Sequence, residues 1–178
     1  MTFQPTQLEG VFVIEPEVTQ DERGYFSRIF CQNELSRIGI DFTIRQASQS
    51  LNAKKGTLRG LHFQREPTSE EKIVQCVRGA MYDVVVDLRE HSDTYGKWIA
   101  NELTEANKKK MYVPKGCAHG FQTLADNTEV LYLMSEFYSP DNYTGVRWND
   151  PLFSIDWPMK DSVVISPQDM QWPLVDNR

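Results

Sequence analysis

The chain has 178 residues, of which 40% are hydrophobic and 25% are charged, and its formal net charge at pH 7 is −6. This length and composition predict one globular domain over residues 1–178 and exclude a disordered or fibrous chain. The acidic balance leaves no general basic surface for nucleic acid. Because the sequence has neither a run of about 18 apolar residues nor a leader-like start, we expect no membrane segment and a cytoplasmic protein.

Short segments rich in β-branched and aromatic residues recur along the chain between turn residues, and each of them predicts a β-strand. The predicted strands are Gly10–Ile14, Phe42–Ser50, Thr57–Gln64, Lys72–Val77, Met81–Leu88, Trp98–Thr104, Met111–Val113, Glu129–Phe137 and Val163–Ile165. Only Gln32–Ile38 has the pattern of a helix, with a second helical turn near Glu105–Lys108. Many short strands and almost no helix indicate an all-β sandwich or barrel, whose open end can hold a ligand.

Met81–Leu88 shows the clearest strand alternation. Its even-numbered positions are apolar, whereas its odd-numbered positions include the carboxylates Asp83 and Asp87. We therefore expect one apolar face and one face that carries acidic groups.

Two of the three histidines lie in conspicuous segments, His62 in TLRGLHFQ and His119 in VPKGCAHGFQTL. A single histidine in a strand is more often structural than catalytic, so the surrounding pattern decides. Pro114 to His119 has the Pro-x-Gly-x-x-His spacing of the second cupin motif, in which a tight turn delivers a histidine into a barrel. Metal-binding cupins also carry a His-x-His pair, whereas Phe63 and Gln64 follow His62 here. Since a metal usually needs three or more protein ligands, we predict a metal-free site.

The cysteines Cys31, Cys76 and Cys117 are odd in number and widely spaced. This pattern fits neither a disulfide framework nor a Cys-x-x-Cys metal knuckle. We expect buried free thiols.

The following segments occur in order along the chain: DERGYF (21–26), GTLRGLHFQ (56–64), EKIVQC (71–76), YDVVVDLR (82–89), YVPKGCAHGFQTL (112–124), EVLY (129–132), FYSP (137–140), RWNDP (147–151) and SPQD (166–169). Together they resemble the dTDP-4-dehydrorhamnose 3,5-epimerase family. RGLHFQ together with VPxGxAHGF is far more restrictive than a general cupin pattern. The resemblance implies an antiparallel, cupin-like jelly roll that forms a homodimer, needs no cofactor and binds a nucleoside-diphosphate 4-keto-6-deoxy sugar.

The resemblance also implies which groups move protons. A ketone at carbon 4 acidifies the hydrogens on carbons 3 and 5, so epimerisation needs a base on one face of the sugar, a stabiliser of the enolate oxygen, and an acid on the other face. His62 fits the base and Asp169 would orient it, while Lys72 fits the enolate stabiliser and Tyr132 the acid. Each has a simpler interpretation, since Lys72 could be an exposed surface charge, Tyr132 a core residue and Asp169 a turn cap.

The same resemblance assigns substrate binding. Arg23 and Arg59 would bind the diphosphate, because a guanidinium matches two phosphate oxygens at once. The other substrate-binding candidates are His119, Gln46, Asp83 and Tyr138, and Asp83 would hold His119.

One local difficulty concerns Arg59 and His62, which strict strand alternation places on opposite faces. Either Gly60 marks a bulge that turns both side chains inward, or Arg59 serves the site of a neighbouring subunit.

Four positions depart from the family pattern: Arg28, Ser48, Tyr143 and Gln168. Arg28 and Tyr143 stand where the family often has glutamate. All four lie among residues expected to recognise the nucleotide or its phosphates, so the base and the exact sugar stay open.

The leading functional hypothesis is inversion of carbons 3 and 5, which converts dTDP-4-dehydro-6-deoxy-D-glucose to dTDP-4-dehydro-L-rhamnose in deoxysugar and polysaccharide biosynthesis. The alternatives are an epimerase of one carbon on a related nucleotide sugar, a cupin-type 3,4-ketoisomerase that moves the carbonyl group, and a non-catalytic sugar-binding cupin. The last of these gives no reason for the four proposed proton-transfer residues to occur together.

Overall fold

A computed structural model of the chain describes residues 1–161 and 163–175. Its strands are β1 (Thr2–Pro5), β2 (Phe12–Glu15), β3 (Val18–Asp21), β4 (Gly24–Ser27), β5 (Gln46–Asn52), β6 (Thr57–Gln64), β7 (Lys72–Arg78), β8 (Ala80–Asp87), β9 (Trp98–Thr104), β10 (Lys110–Val113), β11 (Cys117–Thr123), β12 (Thr128–Met134), β13 (Tyr143–Gly145) and β14 (Val164–Ile165). The helices are α1 (Gln32–Ser36) and α2 (Pro167–Gln171).

Two antiparallel sheets form a β-sandwich. The first sheet has the strand order β1-β2-β10-β7-β12-β5, and the second has the order β13-β6-β11-β8-β9 with β14 added in parallel beside β6. Apart from the pairs β1–β2 and β8–β9, neighbouring strands in both sheets are not consecutive in the sequence, as in a jelly roll. The all-β prediction is therefore confirmed.

Apolar side chains fill one end of the space between the sheets. Val74 and Met111 of the first sheet meet Met81 and Phe121 of the second there, and all four are buried. This packing holds the sheets together and leaves the other end of the interior for polar groups.

The outer faces of the sheets are also covered. Leu35 of α1 and Phe42 pack on the outside of the first sheet, and Phe153 and Trp157 pack on the outside of the second. Each sheet is thereby buried on both faces over much of its area.

The side chains of β8 alternate as predicted, but the face that carries the carboxylates is buried between the sheets. Val84 packs outward beneath the 146–165 segment, whereas Val85 packs between the sheets. Asp83 and Asp87 share the inward face and are fully buried. Hence both faces of β8 are core, and each carboxylate needs a hydrogen-bonded partner inside the protein.

Every predicted strand overlaps a strand of the structure, and Thr57–Gln64 and Trp98–Thr104 match in full. The prediction of Phe42–Ser50 begins too early, because Phe42 packs in the core before the strand starts. The predicted helix Gln32–Ile38 ends at Ser36, and Glu105–Lys108 contains only a turn. Sequence patterns missed β1, β3, β4, β11, β13 and α2.

The β3–β4 hairpin is not paired with either sheet. Its apolar side chains Tyr25 and Phe26 are 61% and 72% exposed. A two-stranded hairpin on its own is marginally stable in water, and exposed aromatic patches commonly mark interaction surfaces.

Within residues 1–161 and 163–175, no helix has the length and apolar character needed to cross a membrane. All three cysteines are free thiols, of which Cys76 and Cys117 are buried and Cys31 is half-buried.

Candidate active site

A cavity of about 300 Å³ opens between the sheets at the end opposite the apolar core. The first sheet contributes Ser50, Lys72 and Tyr132 to its wall. The second sheet contributes Arg59, His62 and His119. The two sheets thus present different polar groups to opposite sides of one space.

A bulge in β6 explains why Arg59 and His62 both line this cavity. In the register with β11, His62 pairs with His119 and Arg59 pairs with Phe121, so β6 has one residue more than its neighbour. Gly60 lies in the bulge with φ +128°, and a Cβ there would come within 2.6 Å of the Gly120 Cα. Only glycine fits this position, and of the two alternatives that the sequence left open, the structure has the bulge.

Asp169 is fixed below His62 by the start of α2. Ser166 caps this helix by accepting a 3.0 Å hydrogen bond from the Asp169 N–H, which turns the carboxylate toward β6. One carboxylate oxygen lies 2.7 Å from His62 Nε2, and the other accepts a hydrogen bond from the Gly60 N–H at 3.3 Å. Burial alone would raise the pKa of Asp169, but its hydrogen bonds, chiefly that with His62, lower it. The residue therefore stays ionised, and its oxygens bond to His62 and Gly60 while Ser166 caps the helix.

Burial lowers the pKa of His62, and hydrogen bonding with Asp169 opposes this shift only in part. The imidazole is accordingly neutral at pH 7. With Nε2–H donated to the carboxylate, Nδ1 carries the lone pair that could accept a proton.

Tyr132 lies on the opposite wall. Its hydroxyl is 3.1 Å from the Ser50 Oγ, and burial raises its pKa to about 12. The phenol is therefore protonated at neutral pH and could donate that proton to a strongly basic group.

Lys72 is not an exposed surface charge, because its side chain is only 11% exposed. Its Nζ lies 2.9 Å from a carboxylate oxygen of Glu70, which is itself buried. The pair places a positive charge and its countercharge in the cavity wall.

His119 also lines the cavity, and its Nε2 lies 2.7 Å from Asp83 Oδ1. Asp83 is fully buried behind it, and burial raises the pKa of this carboxyl group. Asp83 therefore contacts the cavity through His119.

The other predicted binding residues occupy different places. Arg59 stands at the mouth, where its Nε donates a 2.7 Å hydrogen bond to Asn52 Oδ1 and leaves its terminal nitrogens to bind other groups. Tyr138 also lies at the mouth, and its backbone N–H donates to the Gln46 side chain, which does not line the cavity. Arg23 is in the β3–β4 hairpin, paired with Asp21 and away from this cavity.

Two of the departures from the family pattern, Ser48 and Tyr143, line the cavity. Arg28 instead bonds to Glu34 of α1, and Gln168 is exposed on α2. Sequence reasoning did not assign Glu70, Ser50, Asn52 or Trp172 to the site. The period-two spacing of Ser48, Ser50 and Asn52 was the available signal for the β5 residues.

Among the residues that the structure describes, no group of three or more His, Cys, Asp or Glu side chains is arranged to hold a metal ion.

Known proteins resemble this chain in sequence and in fold. A sequence model of the dTDP-4-dehydrorhamnose 3,5-epimerase family matches residues 5–177. The protein of that name from Methanothermobacter thermautotrophicus is 43% identical, and the match covers 98% of this chain and 95% of the relative. The crystal structure of the Bacillus anthracis enzyme with TDP and pyrophosphate bound superposes with a TM-score of 0.94 at 38% identity, over 98% of this chain and 99% of that one.

A solved 3′-monoepimerase from Streptomyces bikiniensis, in complex with dTDP-quinovose, superposes with a TM-score of 0.89 at 32% identity, over 96% of this chain and 86% of that one. The superpositions on this structure and on the Bacillus enzyme cover nearly all of this chain. The family match, the relative's identity and the superpositions together show that the chain belongs to the dTDP-4-dehydrorhamnose 3,5-epimerase family.

Proposed function

We propose that the protein is an epimerase that inverts carbons 3 and 5 of dTDP-4-dehydro-6-deoxy-D-glucose, giving dTDP-4-dehydro-L-rhamnose for deoxysugar and polysaccharide biosynthesis. The observation that carries this proposal is the position of His62 and Tyr132 on opposite walls of one cavity. Inversion of a carbon requires removal of a proton from one face and delivery to the other, which two groups so placed can perform.

The first step is deprotonation of a carbon next to the ketone by His62. Its imidazole is neutral because burial lowers its pKa, and Asp169 holds the ring at 2.7 Å. The imidazolium that forms is stabilised by the carboxylate, which remains ionised.

The second requirement is stabilisation of the negative charge that develops on the carbon-4 oxygen. Lys72 is the cation in the wall of the first sheet, and His119 is a second polar group in the wall of the second. Held in a partly buried site, these groups interact with an enolate more strongly than they would in water.

The third step is protonation of the opposite face by Tyr132. Its pKa of about 12 keeps the proton on the phenol until a carbanion-like centre forms. After the first inversion, His62 must release its proton to water and the Tyr132 phenolate must regain one from water. The same cycle at the second carbon would then complete the double inversion.

We also propose that each chain is a single domain, and that two chains form a homodimer in the cytoplasm. Free thiols fit a reducing compartment. The exposed hairpin residues Tyr25 and Phe26 fit an interface. Arg23 is displayed on the same hairpin, away from its own cavity, so it would bind the diphosphate in the cavity of the other subunit.

Mixing two inactive variants tests this composite site. Arg23→Ala and His62→Asn subunits, unfolded and refolded together, should form hybrid dimers with one intact site and recover about a quarter of wild-type activity. No recovery, with hybrid dimers demonstrated by native mass spectrometry, would exclude a site shared between subunits.

The similarity to a 3′-monoepimerase favours one alternative, inversion of a single carbon of a related nucleotide sugar. The departures Ser48 and Tyr143 lie in the cavity and could change which substrate fits.

The decisive experiment is incubation with a panel of nucleotide-linked 4-keto-6-deoxy sugars in deuterated water, followed by NMR. Deuterium at carbons 3 and 5 with inversion of both supports the proposal, and deuterium at one carbon supports the alternative. A shifted carbonyl identifies a 3,4-ketoisomerase, and binding without exchange identifies a sugar-binding protein. His62→Asn is the matched control, because its amide cannot act as a base and exchange should cease.

A further inference from the structure

Trp172 makes a contact with the His62–Asp169 pair that the proposed mechanism does not use. It follows α2 directly, and its indole Nε1 donates a 3.2 Å hydrogen bond to Asp169 Oδ1. The same oxygen accepts the hydrogen bond from His62 Nε2. The indole ring also meets the imidazole edge to face, with ring centroids 6.1 Å apart.

The position of the indole is fixed by groups outside this pair. Gly145 lies opposite His62 in the β6–β13 ladder, and a Cβ on Gly145 would come within 2.7 Å of the Trp172 ring. Arg147 Nε donates to the Trp172 carbonyl at 2.8 Å, and the Arg147 N–H donates to the Pro173 carbonyl at 3.1 Å. The absence of a side chain at position 145 therefore makes the slot in which the indole sits.

A carboxylate that is bound only by an imidazole can rotate about its Cβ–Cγ bond, and the hydrogen-bonded ring can then turn as well. Here Asp169 has a donor on each side, the Gly60 N–H on Oδ2 and the Trp172 N–H on Oδ1. We propose that Trp172 is a positioning residue, whose indole N–H fixes the Asp169 carboxylate and thereby aims Nδ1 of His62 into the cavity. This inference rests on the proposed function of His62 as the base.

The indole N–H also affects the pKa of His62, because it donates to the same Asp169 oxygen whose negative charge stabilises the imidazolium. The titratable groups around His62 are Asp169, Lys72, His119 and Tyr143. Burial lowers the pKa of His62, and Asp169 is the acidic group that opposes this shift. Without the indole N–H, the Asp169 carboxylate interacts more strongly with the His62 imidazolium, so the pKa of His62 should rise.

Trp172→Phe removes the N–H and keeps an aromatic ring. Because the chain has three histidines, ¹³C-histidine NMR can follow each imidazole directly, with His62→Asn to assign the signal. The variant should raise the pKa of His62 by about 0.5 unit or more. Trp172 does not line the cavity, so kcat should fall about three- to tenfold while KM stays within about twofold.

Trp98→Phe is the matched control, since Trp98 donates its indole N–H to the Phe153 carbonyl at 2.8 Å, in a core away from the cavity. Its effect on the pKa of His62 should be under about 0.2 unit. If Trp172→Phe does not fold, benzothienylalanine at position 172 keeps the bicyclic ring and replaces N–H by sulfur. A pKa of His62 that is unchanged or lower in the folded variant overturns the inference. The titration needs no turnover, so this result is independent of whether His62 is the base.

Discussion

Replacement of Tyr132 by Phe separates the two faces of the proposed reaction. The variant keeps His62, Asp169 and Lys72, and it loses one hydroxyl whose described partner is Ser50 at 3.1 Å. Losing that hydrogen bond should cost about 0.5–1.5 kcal/mol, against a typical folding stability of about 5–15 kcal/mol, so the protein should stay folded.

The catalytic effect should be much larger. Loss of a general acid reduces the rate by about 10²–10⁴-fold, which corresponds to about 3–5 kcal/mol in the barrier. His62 would still form the enolate and would still return a proton to the same face. In deuterated water the recovered substrate should therefore gain deuterium with its configuration retained, while inverted product nearly disappears.

The assay is NMR of substrate and product at matched times, with Ser50→Ala as the control. This control keeps the phenol and loses only its hydrogen bond, so inversion should stay within about tenfold of wild type. Near-normal inversion by Tyr132→Phe would refute the assignment and direct attention to Tyr138 or a water molecule. Simultaneous loss of exchange and inversion would show that Tyr132 is also needed to form the enolate.

Three further predictions concern protonation, metal and backbone. Burial lowers the pKa of His62 below the ordinary imidazole value of about 6.5, and the neutral imidazole is the proposed base. A pH profile should therefore show kcat/KM falling with decreasing pH only below that ordinary value. Exhaustive chelation should leave activity unchanged, and a loss that one added metal restores would contradict the metal-free prediction. Gly60→Ala should cost about 2–5 kcal/mol in urea unfolding, from positive φ and the 2.6 Å approach to Gly120. Gly24→Ala is its control, since Gly24 has φ +126° with nothing within 4 Å, and an equal cost in both would refute the steric part.

Local sequence patterns predicted the strands whose residue types follow a regular pattern between turn residues. β6 and β9 were bounded correctly because β-branched and aromatic residues end at clear turn signals. β11 was missed because Cys117–Thr123 is buried along its whole length, so it shows no alternation. The exposed hairpin strands β3 and β4 were missed because they have no buried face to mark.

The site was predictable only where a motif names its residues. His62 and His119 stand in specific segments, and the family resemblance linked them to Lys72, Tyr132 and Asp169, which the fold brings to the same cavity or beside it. Trp172 gives no such signal, because a single aromatic residue after a five-residue helix has no pattern. Its contact with Asp169 depends on the approach of α2 to β6, which is a tertiary arrangement.

The bulge at Gly60 brings the residues proposed to contact the two ends of the substrate onto one strand face. Without the extra residue, a regular strand would turn either Arg59 or His62 out of the cavity. With it, a guanidinium at the mouth and an imidazole deeper in the cavity lie on one strand face. The Gly60 N–H, turned toward α2 by the same irregularity, donates to the Asp169 carboxylate. One glycine therefore holds the proposed phosphate-binding group, the proposed base and its carboxylate partner together. For this reason, Gly60→Ala should impair substrate binding and proton transfer together in any fraction that folds.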